Sequence, residues 1–90
     1  MTGVEVTPQK LRDVEDFETI LREAGLEVFR VRLHEHQGGK WLRVEVAPGE
    51  MSRVLLVRDN LHLMARDRGY AWVTLDLAGY RTGGGTGRPT

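Results

Sequence analysis

The 90-residue sequence contains no cysteine, which excludes disulfides, thiolate metal sites and a cysteine nucleophile. Its longest apolar run, Val54 to Val57, is far too short to cross a bilayer, and no signal peptide is evident, so we expect a cytoplasmic protein without membrane contact. The 13 basic and 13 acidic residues cancel, so no overall attraction to nucleic acid is expected. The length suits one domain with one modest core.

The first half of the chain predicts a helix followed by a β-hairpin. Thr7 suits the N-cap of the helix, Pro8 its first turn, and Gly25 its C-terminal end. Two alternating segments, 27–34 and 40–46, flank a Gly-Gly loop, as in a hairpin. The acidic residues of the helix, Asp13 among them, are expected to face solvent. The expected apolar stripe is Leu11, Val14, Phe17 and Leu21, widened by Ile20 and Ala24.

The second half predicts one helix, from about Glu50 to Arg68, and a third strand over 71–77. Gly69 is expected to end this helix. We expect residues 1–6 to form an N-terminal extension, 7–80 the single domain, and 81–90 a flexible Gly-rich tail. The expected buried stripe of the second helix is Met51, Val54, Leu55, Leu61, Met64 and Ala65.

These elements predict an α+β fold, a two-layer α-β-β-α-β domain. Its three-stranded, mainly antiparallel sheet carries two helices on one face and is partly ferredoxin-like. We expect the third strand to lie beside the first. Alternation in the third strand directs Val73, Leu75 and Leu77 toward the core.

Strand alternation leaves the opposite sheet face open and assigns eight side chains to it. The arginines could form cross-strand charge pairs, or Arg30 and Arg32 could bind an anion, because the guanidinium fork suits phosphate. The tryptophans could instead cover a subunit interface. The expected open-face residues are Arg30, Arg32, Trp41, Arg43, Glu45, Trp72, Thr74 and Asp76.

No other motif indicates catalysis or metal binding. His34 and His36 share a strand face, but no third ligand is evident, so we expect a solvated loop there and no metal. Ser52, the only serine, lies where it can cap a helix. With no triad and no fixed carboxylate pair, we expect no enzymatic activity and no cofactor.

Three segments resemble the C-terminal region of the ATP-dependent sacrificial sulfur transferases, PP-loop proteins of nickel-pincer cofactor synthesis. They are FRVRLH (29–34), LRVEVAPGE (42–50) and GYAWVTLDLAGYRTG (69–83). VTLDLAGYR, 73–81, is the most specific part. The resemblance implies that Arg30 and Arg32 hold the phosphate of a pyridine mononucleotide derivative, and that the protein forms homo-oligomers.

The chain departs from that family where its chemistry resides. It lacks the SGGxDS phosphate loop and the sulfur-donating cysteine, and the GGGTG of the tail opens no helix. The resemblance therefore implies a stand-alone, non-catalytic module that binds a small phosphorylated ligand or a PP-loop ATP pyrophosphatase partner. Single-stranded nucleic-acid binding through Trp41 and Trp72, or a purely structural oligomerisation role, remain the alternatives.

Overall fold

The computed structural model describes residues 6–80, and they form three helices and one three-stranded sheet. The predicted tail and nearly all of the predicted N-terminal extension lie outside the described residues. None of the helices within 6–80 is long and apolar enough to cross a membrane. The elements are α1 (Pro8–Glu23), β1 (Phe29–His36), β2 (Gly39–Val46), a 3-10 turn (Pro48–Glu50), α2 (Met51–Leu56), α3 (Arg58–Asp67) and β3 (Val73–Leu75).

Helix α1 begins and ends at the residues that the sequence indicates. The Thr7 side chain accepts a hydrogen bond from the backbone N–H of Lys10 (3.1 Å), which satisfies one of the unpaired donors of the first turn. Gly25, at φ +97°, follows the helix in the left-handed region. Phe17 and Leu21 are fully buried, but Leu11 is 54% exposed, so its predicted place in the apolar stripe is wrong.

The predicted second helix is divided into α2 and α3 at Val57, whose backbone (φ −113°, ψ 21°) is not helical. Val54 and Leu61 are buried as expected. Leu55 is 57% exposed, so its predicted burial is wrong. Side chains at neighbouring helix positions point about 100° apart. Because Val54 faces the sheet, Leu55 points away from it.

The sheet has the order β1-β2-β3, with β1 and β2 antiparallel and β2 and β3 parallel. The α+β class is confirmed, and the sheet is mixed. The expectation that the third strand lies beside the first is wrong, because β3 pairs with β2. The chain between these two strands includes α2 and α3, and such a crossover places a strand parallel to its neighbour.

The helices and the apolar side of the sheet enclose one core. Phe17 and Leu21 of α1 pack there with Leu42 and Val44 of β2. Leu77 is 83% exposed, so its predicted core position is wrong. Strand β3 ends at Leu75, and a turn follows in which the Asp76 carboxylate accepts from the Ala78 N–H (2.8 Å).

Gly79 brings the end of this turn against β2. It adopts φ +83°, and a side chain there would place its Cβ 2.9 Å from the Val46 carbonyl oxygen. The next residue, Tyr80, donates its backbone N–H to the same carbonyl (2.8 Å). A residue with a side chain would therefore be strained both in backbone angle and in space, and Gly79 lets the chain cross beside β2.

Candidate functional site on the open sheet face

Six of the eight predicted residues lie in the strands at positions that alternate with the core residues, Trp72 and Asp76 flank β3, and His34 of β1 joins them. In the β1–β2 register, Arg30 lies opposite Glu45, Arg32 opposite Arg43, and His34 opposite Trp41. In the β2–β3 register, Arg43 lies opposite Thr74. We call this surface the open face: Arg30, Arg32, His34, Trp41, Arg43, Glu45, Trp72, Thr74 and Asp76.

An aromatic row crosses β1 and β2 and ends at the residue before β3, at one end of the open face. The His34 ring stacks on Trp41 at 5.3 Å between centroids and 12° between planes. Trp41 stacks in turn on Trp72 at 5.6 Å and 26°. Trp72, the last ring of the row, is 52% exposed. The row is therefore a packed surface with an accessible outer indole, on which a flat ring can stack.

Arginines and carboxylates form a cluster beside the aromatic row. The nearly buried Glu45 carboxylate accepts ion pairs from Arg43 Nη2 (3.1 Å) and Arg32 Nε (3.4 Å) through one oxygen, Oε2. Arg43 Nε lies 3.7 Å from Asp76 Oδ2, is buried and makes no hydrogen bond. With Arg30 included, three arginines face two carboxylates, which leaves one positive charge in surplus.

Arg30 carries that surplus. Its guanidinium carbon lies 5.1 Å from the centroid of the Tyr80 ring. Although Arg30 lies opposite Glu45 in the register, it forms no ion pair within residues 6–80. A cation–π contact engages the face of the guanidinium and leaves its N–H groups available for an anion.

His34 lies within β1, as the predicted strand over 27–34 has it, but it is half-buried, so the expectation that it is solvated is wrong. Burial lowers the pKa of His34 below 6.5, and the charges of Arg43 and Arg32 lower it further, against an opposing effect of Glu45. The ring is therefore neutral at pH 7, and its buried Nε2 has no hydrogen-bond partner. Within residues 6–80 no three side chains are grouped as metal ligands.

A second charged cluster lies away from the open face, between α1 and the C-terminal end of α3. The expectation that Asp13 faces solvent is wrong, since it is 1% exposed. It accepts hydrogen bonds from the Tyr70 hydroxyl (2.6 Å), Arg68 Nη1 (2.6 Å) and Gln9 Nε2 (2.9 Å). Arg68 Nη2 also reaches Asp16 Oδ2 at 2.7 Å.

The pKa values of this cluster follow from its hydrogen bonds. Burial tends to raise the pKa of Asp13, but hydrogen bonds from Tyr70, Arg68 and Gln9 outweigh it and lower the pKa. Burial raises the pKa of Tyr70, and its hydrogen bond to Asp13 raises it further. The sequence contained a signal for the burial of Asp13, which lies four residues before the buried Phe17 on the same helix face, but none for its partners Tyr70 and Arg68.

The fold and its open face define a small α+β domain with a mixed aromatic and cationic surface. No protein-family model matches the chain. Over 81 residues it is 30% identical to the pyridinium-3,5-bisthiocarboxylic acid mononucleotide synthase of Lactiplantibacillus plantarum. The match covers 90% of this chain and 28% of the relative. The chain is thus similar to one segment of a much longer protein.

Proposed function

We propose that the domain is a non-catalytic binding module whose open face holds a small phosphorylated molecule with an aromatic ring. The observation that carries this proposal is the surplus guanidinium of Arg30, which makes no ion pair within residues 6–80 and lies on the same face as a half-exposed tryptophan. The name of the relative supports it, since a pyridinium mononucleotide combines a flat ring with a phosphate.

The phosphate would be held by Arg30 and Arg32. Both side chains leave β1 on the same side, and the side chain of Arg32 is 44% exposed while its contact with Glu45 is long, at 3.4 Å. A phosphate has several oxygens that can accept hydrogen bonds from two planar guanidinium groups. It can therefore bind both arginines without displacing Glu45 from Arg43.

The ring would stack on Trp72. Its neighbour Trp41 and the His34 ring hold one side of the row in place, so little side-chain freedom is lost when a ligand binds. A positively charged pyridinium would gain from the electron-rich indole face. The neutral His34 adds no positive charge at pH 7 that would repel it.

The match covers 28% of the relative, so most of that protein has no counterpart in these 90 residues. They carry neither a cysteine nor an SGGxDS phosphate loop. We propose that the module works beside a PP-loop ATP pyrophosphatase and presents or positions its phosphorylated ligand.

An amide NMR titration with nicotinate mononucleotide tests this function. We expect saturable shifts at Arg30, Arg32 and Trp72, and an affinity at least about tenfold weaker in Arg30→Ala and Arg32→Ala, as expected for the loss of one charge-assisted contact. Arg58→Ala, on α3 and 77% exposed, is the matched control and should leave the affinity unchanged. Nicotinic acid separates the contribution of the ring from that of the phosphate. Absence of shifts at millimolar ligand would contradict the proposal.

Single-stranded nucleic acid is the second candidate, favoured by the stacked Trp41 and Trp72. Stacked aromatics on a sheet are one way in which proteins bind unpaired bases. The balanced charge of the chain argues against it. A labelled oligonucleotide distinguishes the two candidates: salt-dependent binding that weakens in Trp72→Ala would favour nucleic acid, and no binding at low salt would remove it.

A further inference from the structure

We propose that the outer edge of β3 pairs with the same edge of a second copy of this chain, so that two domains share one six-stranded sheet about a two-fold axis. This interface runs along the edge of β3 and shares Thr74 with the open face, but it does not depend on the ligand proposed for that face. Three features carry it: the direction of backbone groups in β3, the groove beside the strand, and the pairs that a second copy would create.

The hydrogen bonds of β3 leave its outer edge unpaired. The Trp72 carbonyl accepts from Leu42 N–H (3.1 Å), and the Asp76 N–H donates to the Val44 carbonyl (2.9 Å). Backbone groups of alternate residues point to opposite sides of a strand, so those of Val73 and Leu75 point away from β2. They make no hydrogen bond within residues 6–80.

An apolar groove of about 290 Å³ lies beside this edge, between β3 and the α2–α3 junction. Val73, Leu75, Val54 and Leu55 contribute to its wall, and Leu55 is 57% exposed. Its charged wall residues, Arg58 and Asp59, have opposite signs, so a second groove of the same kind brings no net repulsion. An unpaired edge beside exposed apolar surface is the usual setting for strand addition.

Antiparallel pairing about Thr74 satisfies every outward backbone group of β3. Val73 would pair with Leu75 of the second copy, and Leu75 with its Val73. Each of these pairs exchanges two hydrogen bonds, four in total, because both members are the residues whose groups point outward. On the open face Thr74 would lie opposite Thr74 of the second copy, which is a favourable cross-strand pair.

The other edge of the sheet, on β1, does not offer the same fit. Two-fold pairings centred on residues 31, 32 or 33 of β1 place Arg32 opposite Arg30, Arg32 or His34 of the second copy, respectively. Opposed arginines are destabilising, and His34 already has its pKa lowered by neighbouring cations. Charged side chains are also the common protection of an edge strand, so β3 is the edge that a second copy can use.

Light scattering and amide hydrogen exchange on the full chain test the proposal. We expect a dimer whose dissociation on dilution increases the exchange rates of the Val73 and Leu75 amides, while the Leu42 amide, bonded within each copy, stays protected. A chain that is monomeric at millimolar concentration, or rapid exchange at Val73 and Leu75 in the dimer, would overturn it.

Two variants locate the interface. Val73→Pro removes an outward N–H that β2 does not use, so an edge strand tolerates it. Leu55→Glu places a charge in the groove. We expect each variant to weaken the dimer at least about tenfold, the scale of 1.4 kcal/mol. Leu63→Glu is the matched control, since Leu63 is 56% exposed and lies outside the groove.

The variants also decide between interfaces. If Val73→Pro fails to fold, Leu55→Glu alone settles the matter, because its side chain is already exposed. A dimer that resists Leu55→Glu and Val73→Pro but is lost in Trp72→Ala would assign the contact to the open face and overturn the β3 interface. Nicotinate mononucleotide binding that fails while the dimer persists would remove the proposed function and leave this inference standing.

Discussion

The two charged clusters of this domain use arginine in opposite ways. Arg68 lies 2.6 Å from Asp13 and 2.7 Å from Asp16, so one guanidinium meets two carboxylates. On the open face three arginines lie beside two carboxylates, Arg30 forms no ion pair within residues 6–80, and the contacts of Arg32 and Arg43 range from 3.1 to 3.7 Å. An arginine held by short contacts to two carboxylates stabilises the fold, whereas arginines with longer contacts and a surplus of positive charge can accept an added anion.

The largest expected effect is at Asp13. Asp13→Ala would leave the Tyr70 hydroxyl and Arg68 without their buried acceptor, so we expect a loss of roughly 3–5 kcal/mol in the free energy of unfolding. Asp16→Ala, where the carboxylate is 38% exposed, should cost only about 0–1 kcal/mol. Urea denaturation of both variants measures the difference. Equal losses would show that burial of Asp13 does not make it the more important partner of Arg68.

The next effect separates stability from binding on the open face. Glu45→Gln removes the charge shared by Arg32 and Arg43, so we expect a loss of about 1–3 kcal/mol in unfolding free energy. The same change should strengthen binding of inorganic phosphate, because the local surplus of positive charge rises. Asp76→Asn, a more exposed partner at 3.7 Å, is the control and should change stability less. Phosphate titration of both variants checks the second part; weaker binding in Glu45→Gln would contradict it.

The pH dependence of stability should report the Asp13–Tyr70 hydrogen bond at both extremes. The pKa of Asp13 is lowered in the folded state, so its contribution is complete above 3.8 and is lost as the pH falls through the folded pKa. The pKa of Tyr70 is raised, so its contribution is complete below 10.0 and is lost as the pH rises above it. Stability should therefore decrease in strong acid, where Asp13 is protonated, and in strong alkali, where Tyr70 is deprotonated.

Tyr70→Phe isolates the alkaline part of that profile. We expect the loss of stability above pH 10 to become smaller, while the acid limb remains through the contacts of Asp13 with Arg68 and Gln9. Thermal unfolding across the pH range measures both limbs. An unchanged alkaline limb in the variant would mean that other groups produce it.

The smallest effect concerns His34. Because its pKa is lowered in the folded state, the contribution of His34 to stability is complete above pH 6.5 and decreases as the pH falls below that value. A phosphate bound beside Arg32 should raise the pKa of His34 toward 6.5, since it offsets the cations that lower it. NMR titration of the imidazole with and without nicotinate mononucleotide measures the change, and no change would place any bound anion away from this row.

The candidate site could largely be predicted from the sequence, and the stabilising cluster could not. Period-2 alternation in β1 and β2 was sufficient to assign Arg30, Arg32 and Trp41 to one face, because side-chain direction in a strand is local. His34 obeyed the same rule, but its place beside a Gly-Gly loop favoured a solvated position. Tyr80 could not be predicted to lie against Arg30, because that contact depends on the turn at Gly79.

The sequence by itself determined the α+β class, the hairpin, the limits of α1 and eight of the nine residues of the open face. Each of these depends on caps, turns and periodicity over a few residues. Only the tertiary structure decided the β1-β2-β3 order, the break at Val57 and the burial of Asp13 by Tyr70 and Arg68. Those features depend on residues more than 50 positions apart or on how a crossover packs, and no local pattern encodes which distant partner will satisfy a buried charge.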